Sequence, residues 1–217
     1  VGPDLSNQMM TAHFTLLQEA VRIVVALCWL VLGSTLLLRW RAPDAPKRTR
    51  NPTSMVGLGL QCMGTAMTFL MRRPRFTPFL PLGAPFEILL AVVAIALAVG
   101  SAWLTLATIR TLGRHWSLEA RLVEGHKLLT EGPFRVVRHP IYAAMLGMLL
   151  ANRLAVSRPA ALLPALVVYG IGGAVRIRSE DKLLREMFGR EFEVYARRVP
   201  AVFPRLEQWL IRGVTFS

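Results

Sequence analysis

In an otherwise apolar chain, two polar stretches hold the residue types that could do chemistry. The first, Arg138-His139-Pro140-Ile141-Tyr142, sets a guanidinium, an imidazole and a phenol within five consecutive positions. Pro140 suits the first turn of a helix, where its missing N–H costs nothing. A helix starting there turns its positive end and its free backbone N–H groups outward, which favours a carboxylate or another anion. Upstream lie Gly113-Arg114-His115-Trp116-Ser117 and the run from Glu124 to Phe134, with a turn signal at Gly132-Pro133. The second stretch begins at Arg176. Arg176 and Glu180 are four apart and share one helix face. Asp181 follows, then Phe188-Gly189, where glycine suits a helix end before a second helix over Arg190–Arg198.

Each feature also has a plainer reading. Arg138, His139 and Tyr142 would serve as anchors at a membrane surface. An exposed Arg176–Glu180 pair contributes only tenths of a kcal/mol. Phe188, Phe192 and Tyr195, at three- and four-residue spacing, read as packing. The functional alternative is that Arg176 and Glu180 face inward toward a polar ligand, because ionisable groups at membrane depth default to function. The four histidines, His13, His115, His126 and His139, form no i,i+4 pair. There is no His-Glu-x-x-His, so no metal site is expected. Neither a Gly-x-Gly-x-x-Gly nor a phosphate-loop signature occurs. Any cofactor must therefore be held by helix ends, loops and the two stretches folded together.

The elements that would position these residues are set by composition. The chain has 217 residues, 53% of them hydrophobic and only 18% charged. A soluble domain carries roughly a quarter charged residues. The net charge of +13 suggests nucleic acid, but the basic residues sit between long apolar runs, so a polytopic membrane protein is expected and nucleic acid is not. Five runs could span a bilayer, over about 20–38, 54–71, 86–109, 141–155 and 159–177. The expected fold is all-α, a single membrane domain over 1–217 with a helical C-terminal segment. Segments 111–140 and 176–204 are the candidates for a shared cytoplasmic site. Basic residues cluster before the second run (Arg39, Arg41, Lys47, Arg48, Arg50), before the fourth, and from Arg176 onward. The positive-inside bias puts those regions and the C-terminus in the cytoplasm, with Arg72, Arg73 and Arg75 as a local exception. The plain reading of these arginines is topology and lipid-headgroup contact. Cys28 and Cys62 fall in apolar runs and read as buried thiols without a disulfide. The opening residues lack the basic region of a signal peptide. The excess of arginine over lysine fits a bacterial source, and hence an inner membrane.

Taken together, the run from His126 through Gly132-Pro133-Phe134 to Arg138-His139-Pro140-Ile141-Tyr142, then Arg176, Glu180-Asp181, Phe188-Gly189, Tyr195 and Val199-Pro200, resembles the isoprenylcysteine carboxyl methyltransferase family. The resemblance covers about Gly113 to Pro204. It implies an integral membrane enzyme that uses S-adenosylmethionine held in a cytoplasmic pocket. Carried over position by position, it implies cofactor contacts at His126, Lys127, Leu128, Leu129, Phe134, His139, Pro140, Ile141, Tyr142 and Glu180, and an acceptor-binding, catalytic role for Arg176. Phe134 stands where the family often has tyrosine, and Glu180-Asp181 where it often has two glutamates. The implied acceptor is lipophilic, foremost the carboxylate of an isoprenylcysteine or an analogue. A small thiol or an amino phospholipid is an alternative acceptor. An NADPH-dependent membrane reductase and a non-catalytic membrane subunit are the competing classes.

Overall fold

Uninterrupted apolar runs become helices, and the Pro- and Gly-rich stretches separate them. The computed structural model describes residues 5–40, 52–74, 77, 83–112 and 128–204. It contains α1 (Leu5–Trp40), α2 (Pro52–Leu70), α3 (Ala84–Leu112), α4 (Pro140–Val156), α5 (Leu162–Phe188) and α6 (Arg190–Arg198). Short 3-10 turns at Gly132–Arg135 and Pro159–Ala161 precede α4 and α5. Among the described residues the one β pairing is an antiparallel bridge between Arg72 and Ser157.

Each of the five expected spans coincides with a helix. Three helical stretches, Thr15–Thr35, Ala84–Leu112 and Pro159–Phe188, are long and apolar enough to cross a membrane. The expected count of five is thus supported for three. The fourth, α4, has 17 residues, about 26 Å at 1.5 Å per residue, against a hydrocarbon core of about 30 Å. The second, α2, buries Ser54, Gln61 and Thr68 along one face. The fifth expected span, 159–177, lies in a helix that continues as one rod to Phe188. A hydrocarbon core of about 30 Å is crossed in about 20 residues, so α5 is longer than a span needs, and its polar residues from Arg176 onward fall in its last turns.

Helix packing follows small side chains. Ala94, Ala98 and Ala102 of α3 and Ala151 and Ala155 of α4 recur every four residues. They pack with Val21, Val25, Cys28 and Leu32 of α1 and with Met148 into one buried cluster. Small residues let the backbones approach, and dispersion then replaces the hydrophobic drive that lipid cannot supply. Leu27, Leu30, Ile88, Val92, Trp103, Val167 and Ile171 point outward, as lipid contact requires. Cys28 is buried, but Cys62 is exposed, which corrects the expectation for that thiol. In a bilayer an apolar run faces outward as readily as inward, so apolar surroundings in sequence do not imply burial.

The arginines at the far end from Arg138 and Arg176 take a role that charge bias did not suggest. Arg153 is 1% exposed, and its guanidinium donates to the Ser157 carbonyl at 2.7 Å. Arg73 donates to the carbonyls of Leu154 and Ala155, both at 3.4 Å, and its backbone N–H to Val156 at 3.0 Å. Thr68 meets Asn152 at 2.7 Å and accepts from Ser157 through its carbonyl. Arg73 and Arg153 therefore cap the last carbonyls of α4, which would otherwise end buried and unsatisfied. Arg153 is too buried to meet a lipid headgroup.

The helices α2 and α5 approach closely. A Cβ on Gly172 would lie 2.6 Å from the Gly57 carbonyl oxygen, and one on Gly57 would lie 2.6 Å from Cγ of Arg176. Two positions away, a Cβ on Gly170 would meet nothing within 4 Å. Gly172→Leu should therefore destabilise the protein in detergent by about 1–3 kcal/mol through overpacking, while Gly170→Leu should be near neutral. Thermal unfolding of the two variants checks this; equal melting temperatures would contradict the packing.

Candidate functional site

The two polar stretches meet where α4 begins and α5 leaves the apolar region. Gly132 sits at φ +56°, and a Cβ there would lie 2.7 Å from Oγ1 of Thr111. Glycine is thus required twice, for the left-handed turn and for the approach to α3. Pro140 occupies the first turn of α4 as expected, with His139 as its N-cap. Gly189, at φ +50°, turns the chain from α5 into α6. Phe192, Tyr195 and Val199 then pack with Leu128 in a small core, so the α6 aromatics serve packing as the spacing indicated.

Backbone pairing fixes the stretches against each other. The N–H groups of Arg138 and His139 donate to the carbonyls of Pro200 and Ala201, both at 2.8 Å. The Arg138 guanidinium donates to the carbonyls of Ala196 and Val199 at 2.8 and 2.7 Å, and to Oδ2 of Asp181 at 2.9 Å. The Tyr195 hydroxyl donates to the Phe134 carbonyl at 2.8 Å. At position 134 the protein thus uses the backbone, so the missing phenol hydroxyl leaves no gap in this contact.

The centre is a row of alternating charges. Oδ1 of Asp181 lies 2.9 Å from Nε2 of His139, whose Nδ1 lies 3.4 Å from Oε2 of Glu180. Oε1 of Glu180 accepts from the Tyr142 hydroxyl and lies 3.6 Å from the Arg176 guanidinium. That guanidinium stands 5.0 Å from the centroid of the Tyr142 ring. The His139 and Tyr142 rings stack at 5.6 Å. The Tyr169 hydroxyl reaches the Tyr142 carbonyl at 3.4 Å. Arg176 is 4% exposed, so its pairing with Glu180 is an inward one and not the exposed ion pair of the plainer reading.

Of the expected site residues, His139, Tyr142, Arg176 and Glu180 come together directly. Pro140 and Ile141 lie in the helix start between them. Leu128 and Phe134 border the group from the α6 side, with the Leu128 side chain directed into packing, and Leu129 follows Leu128 half-buried. His126 and Lys127 lie outside the described residues. The helix start offers an anion less than its sequence suggests, because the N–H groups of Tyr142 and Ala143 both donate to the His139 carbonyl at 3.1 Å. Sequence reasoning missed Asp181 as an anchor. The available signal was the adjacency itself: consecutive helical residues diverge by about 100°, so Glu180 and Asp181 face different neighbours. No group of His, Cys, Asp and Glu able to hold a metal occurs among the described residues.

The comparisons with known proteins converge on this region. The family model for phospholipid methyltransferase matches residues 89–191. The chain is 34% identical over 96 residues to protein-S-isoprenylcysteine O-methyltransferase B of Arabidopsis thaliana, covering 43% of this chain and 49% of that protein. It is 37% identical over 139 residues to the nickel-cobalt-cadmium resistance protein NccN of Alcaligenes xylosoxydans xylosoxydans, covering 56% of this chain and 63% of that one. With the cobalt-zinc-cadmium resistance protein CzcN of Cupriavidus metallidurans it shares 39% over 130 residues, 56% of this chain and 54% of the relative. The chain thus spans between about half and two thirds of these relatives' lengths. These matches bear out the resemblance to the isoprenylcysteine methyltransferase family.

His139 carries the pH dependence of this arrangement. Burial opposes its charge, but hydrogen bonds to Asp181 and Glu180, and the charge of both carboxylates, outweigh burial and hold its pKa above the ordinary value. Its folded pKa is raised, so its stabilising contribution is complete below about pH 6.5, the unfolded value. That contribution is lost as pH rises through the folded value. Melting temperature against pH should therefore fall on the alkaline side in the wild type, and this component should vanish in His139→Gln. Parallel profiles for the two proteins would contradict the assignment.

Proposed function

We propose that the protein is an integral membrane methyltransferase that moves a methyl group from S-adenosylmethionine to a lipophilic carboxylate, foremost that of an isoprenylcysteine or an analogue. The observation that carries the reading is the convergence of Tyr142, Arg176 and Glu180 where α4 begins and α5 turns polar, within the segment that matches the methyltransferase family model. The charges suit the donor. A cationic sulfonium compound with ribose hydroxyls calls for a carboxylate that keeps an accessible edge. The Glu180 side chain is 20% exposed, against 9% for Asp181. Asp181, saturated by Arg138 and His139, anchors the helices, and Glu180 faces the cofactor. His139, Pro140, Ile141 and Tyr142 form the wall beside it, with the loop of His126, Lys127, Leu128, Leu129 and Phe134 as its further border.

When bound, S-adenosylmethionine supplies a methyl group already activated for in-line displacement. The acceptor carboxylate is already a nucleophile: its oxygen forms the bond to the methyl carbon as the sulfur–carbon bond breaks, and no proton needs to move. What the protein adds is alignment and exclusion of water, which can supply most of the rate. Arg176 would orient the acceptor carboxylate. Its shared engagement with Glu180 and the Tyr142 ring limits how tightly it can pair with that anion and dull it. A lipid-like acceptor would arrive sideways between helices, and the water-soluble donor from the cytoplasmic face, taken to be the side of Arg138 and the C-terminus by the positive-inside bias.

An amino phospholipid is the second reading, favoured by the description of the matching family model. A buried guanidinium beside the acceptor position disfavours a cationic amine relative to an anion.

Thermal shift of the purified protein against S-adenosylmethionine, S-adenosylhomocysteine and NADPH tests the cofactor, since saturating ligand stabilises by RT ln(1 + [L]/Kd). Both adenosyl compounds should raise the melting temperature and NADPH should not; a shift with NADPH alone would overturn the reading. Glu180→Ala should abolish the adenosyl shift. Arg176→Ala should keep the shift and lose turnover by about a hundredfold or more, the cost of a misplaced reactant.

A further inference from the structure

The methyl transfer described above moves no proton, yet a titratable side chain sits at the centre of the group. Both ring nitrogens of His139 face carboxylates of α5: Nε2 lies 2.9 Å from Oδ1 of Asp181, and Nδ1 lies 3.4 Å from Oε2 of Glu180. An ionised carboxylate only accepts, and a neutral imidazole donates through one nitrogen, so the imidazolium is the form that satisfies both contacts. The ring is buried, where nearby charges act on one another more strongly than in water. Around it, α5 supplies Asp181, Glu180 and, through Glu180, Arg176. From α4 the Tyr142 ring stacks on it, and the Tyr142 hydroxyl donates to the same Glu180. The adjacent Arg138 guanidinium holds Asp181. From the chain after α6 the Ala201 carbonyl accepts the His139 backbone N–H, and the Tyr195 hydroxyl of α6 is engaged by the Phe134 carbonyl.

The two carboxylates differ. Asp181 has Arg138 as a fixed counter-charge, whereas Glu180 keeps an accessible edge. With His139 protonated, Arg138, His139 and Arg176 stand as three cations against these two anions. A further cation at Glu180 adds to that excess. The proton of His139 is the positive charge that can leave, since arginine does not deprotonate.

We infer that Glu180 takes up the cationic methyl donor in exchange for the proton of His139, which passes to solvent, and that the thioether product leaves that proton in place. This rests on the methyltransferase reading above. S-adenosylmethionine carries one positive charge more than S-adenosylhomocysteine, and the two share their adenosine and amino-acid groups. After the proton leaves, Nε2–H can still donate to Asp181, so the anchor persists while Glu180 is released from Nδ1. His139 is thus a positioning residue that acts through Glu180. Linkage is reciprocal: a ligand that lowers the proton affinity of His139 binds more tightly as pH rises. Low pH therefore favours the product over the donor, and high pH the donor.

Isothermal titration calorimetry in buffers of different ionisation enthalpy counts the protons exchanged. Across about pH 6 to 9, a range that extends above the ordinary histidine value, S-adenosylmethionine should release more protons than S-adenosylhomocysteine. The affinity for the first relative to the second should rise by about five- to tenfold from the acid to the alkaline limit, the lower end of typical coupling between sites. His139→Gln keeps a donor for Asp181 and does not titrate, so the extra release and the slope of the ratio should both vanish. A merely structural role would weaken both ligands together and leave the slope in place. The wild-type proton count decides the matter if the variant does not fold. Equal release for the two ligands, or an affinity ratio with the same pH profile in both proteins, would overturn this inference alone. If the wild type binds neither adenosyl compound, the methyltransferase reading falls, and this inference with it.

Discussion

Asp181 sits between two partners supplied by one short segment, the Arg138 guanidinium at 2.9 Å and the His139 imidazole at 2.9 Å. Charged side chains brought this far out of water repay their desolvation only when the geometry is good and the remaining donors are satisfied. Here they are placed so: Arg138 also donates to two carbonyls at the end of α6 and beyond, and the second nitrogen of His139 turns to Glu180. These contacts hold the start of α4, the end of α5 and the chain after α6 as a unit. Their relative placement fixes Glu180, Tyr142 and Arg176 within reach of one another.

That constraint lets helix ends alone gather these polar side chains in one place. The long α5 joins the apolar interior and the surface in one rod, and it carries in turn order the groups suited to a lipid-side acceptor and a water-side donor. Close glycine contacts with α2 hold the lower part of the rod. The Asp181 anchor holds the upper part. At the other end of the bundle, Arg73 and Arg153 close carbonyls at the C-terminal end of α4, so α4 is tied down at both ends.

Much of this was legible in the sequence. Each apolar run marked a helix, Gly132-Pro133 and Gly189 marked turns, and the four-residue spacing of Arg176 and Glu180 put them on one face. What sequence could not supply was which face met which neighbour. The exposed Cys62, the buried Gln61 and the capping role of Arg73 and Arg153 depend on packing between helices far apart in the chain. In a bilayer, composition distinguishes inward from outward positions poorly, because lipid tails are as apolar as the protein interior. Asp181 was visible only as a neighbour of Glu180, since its partners lie about forty residues away.

The central claim is that this group of residues transfers a methyl group to a carboxylate. Its most direct test is the chemical stability of the product. Purified protein in lipid vesicles would be given S-adenosylmethionine labelled in its methyl group together with N-acetyl-S-farnesylcysteine, and the lipophilic product treated with base. A methyl ester releases its label as methanol, and the account predicts this release, dependent on both Arg176 and Glu180. Label that remains base-stable, as in a thioether or a methylated amine, or no label in the lipophilic fraction, would contradict it.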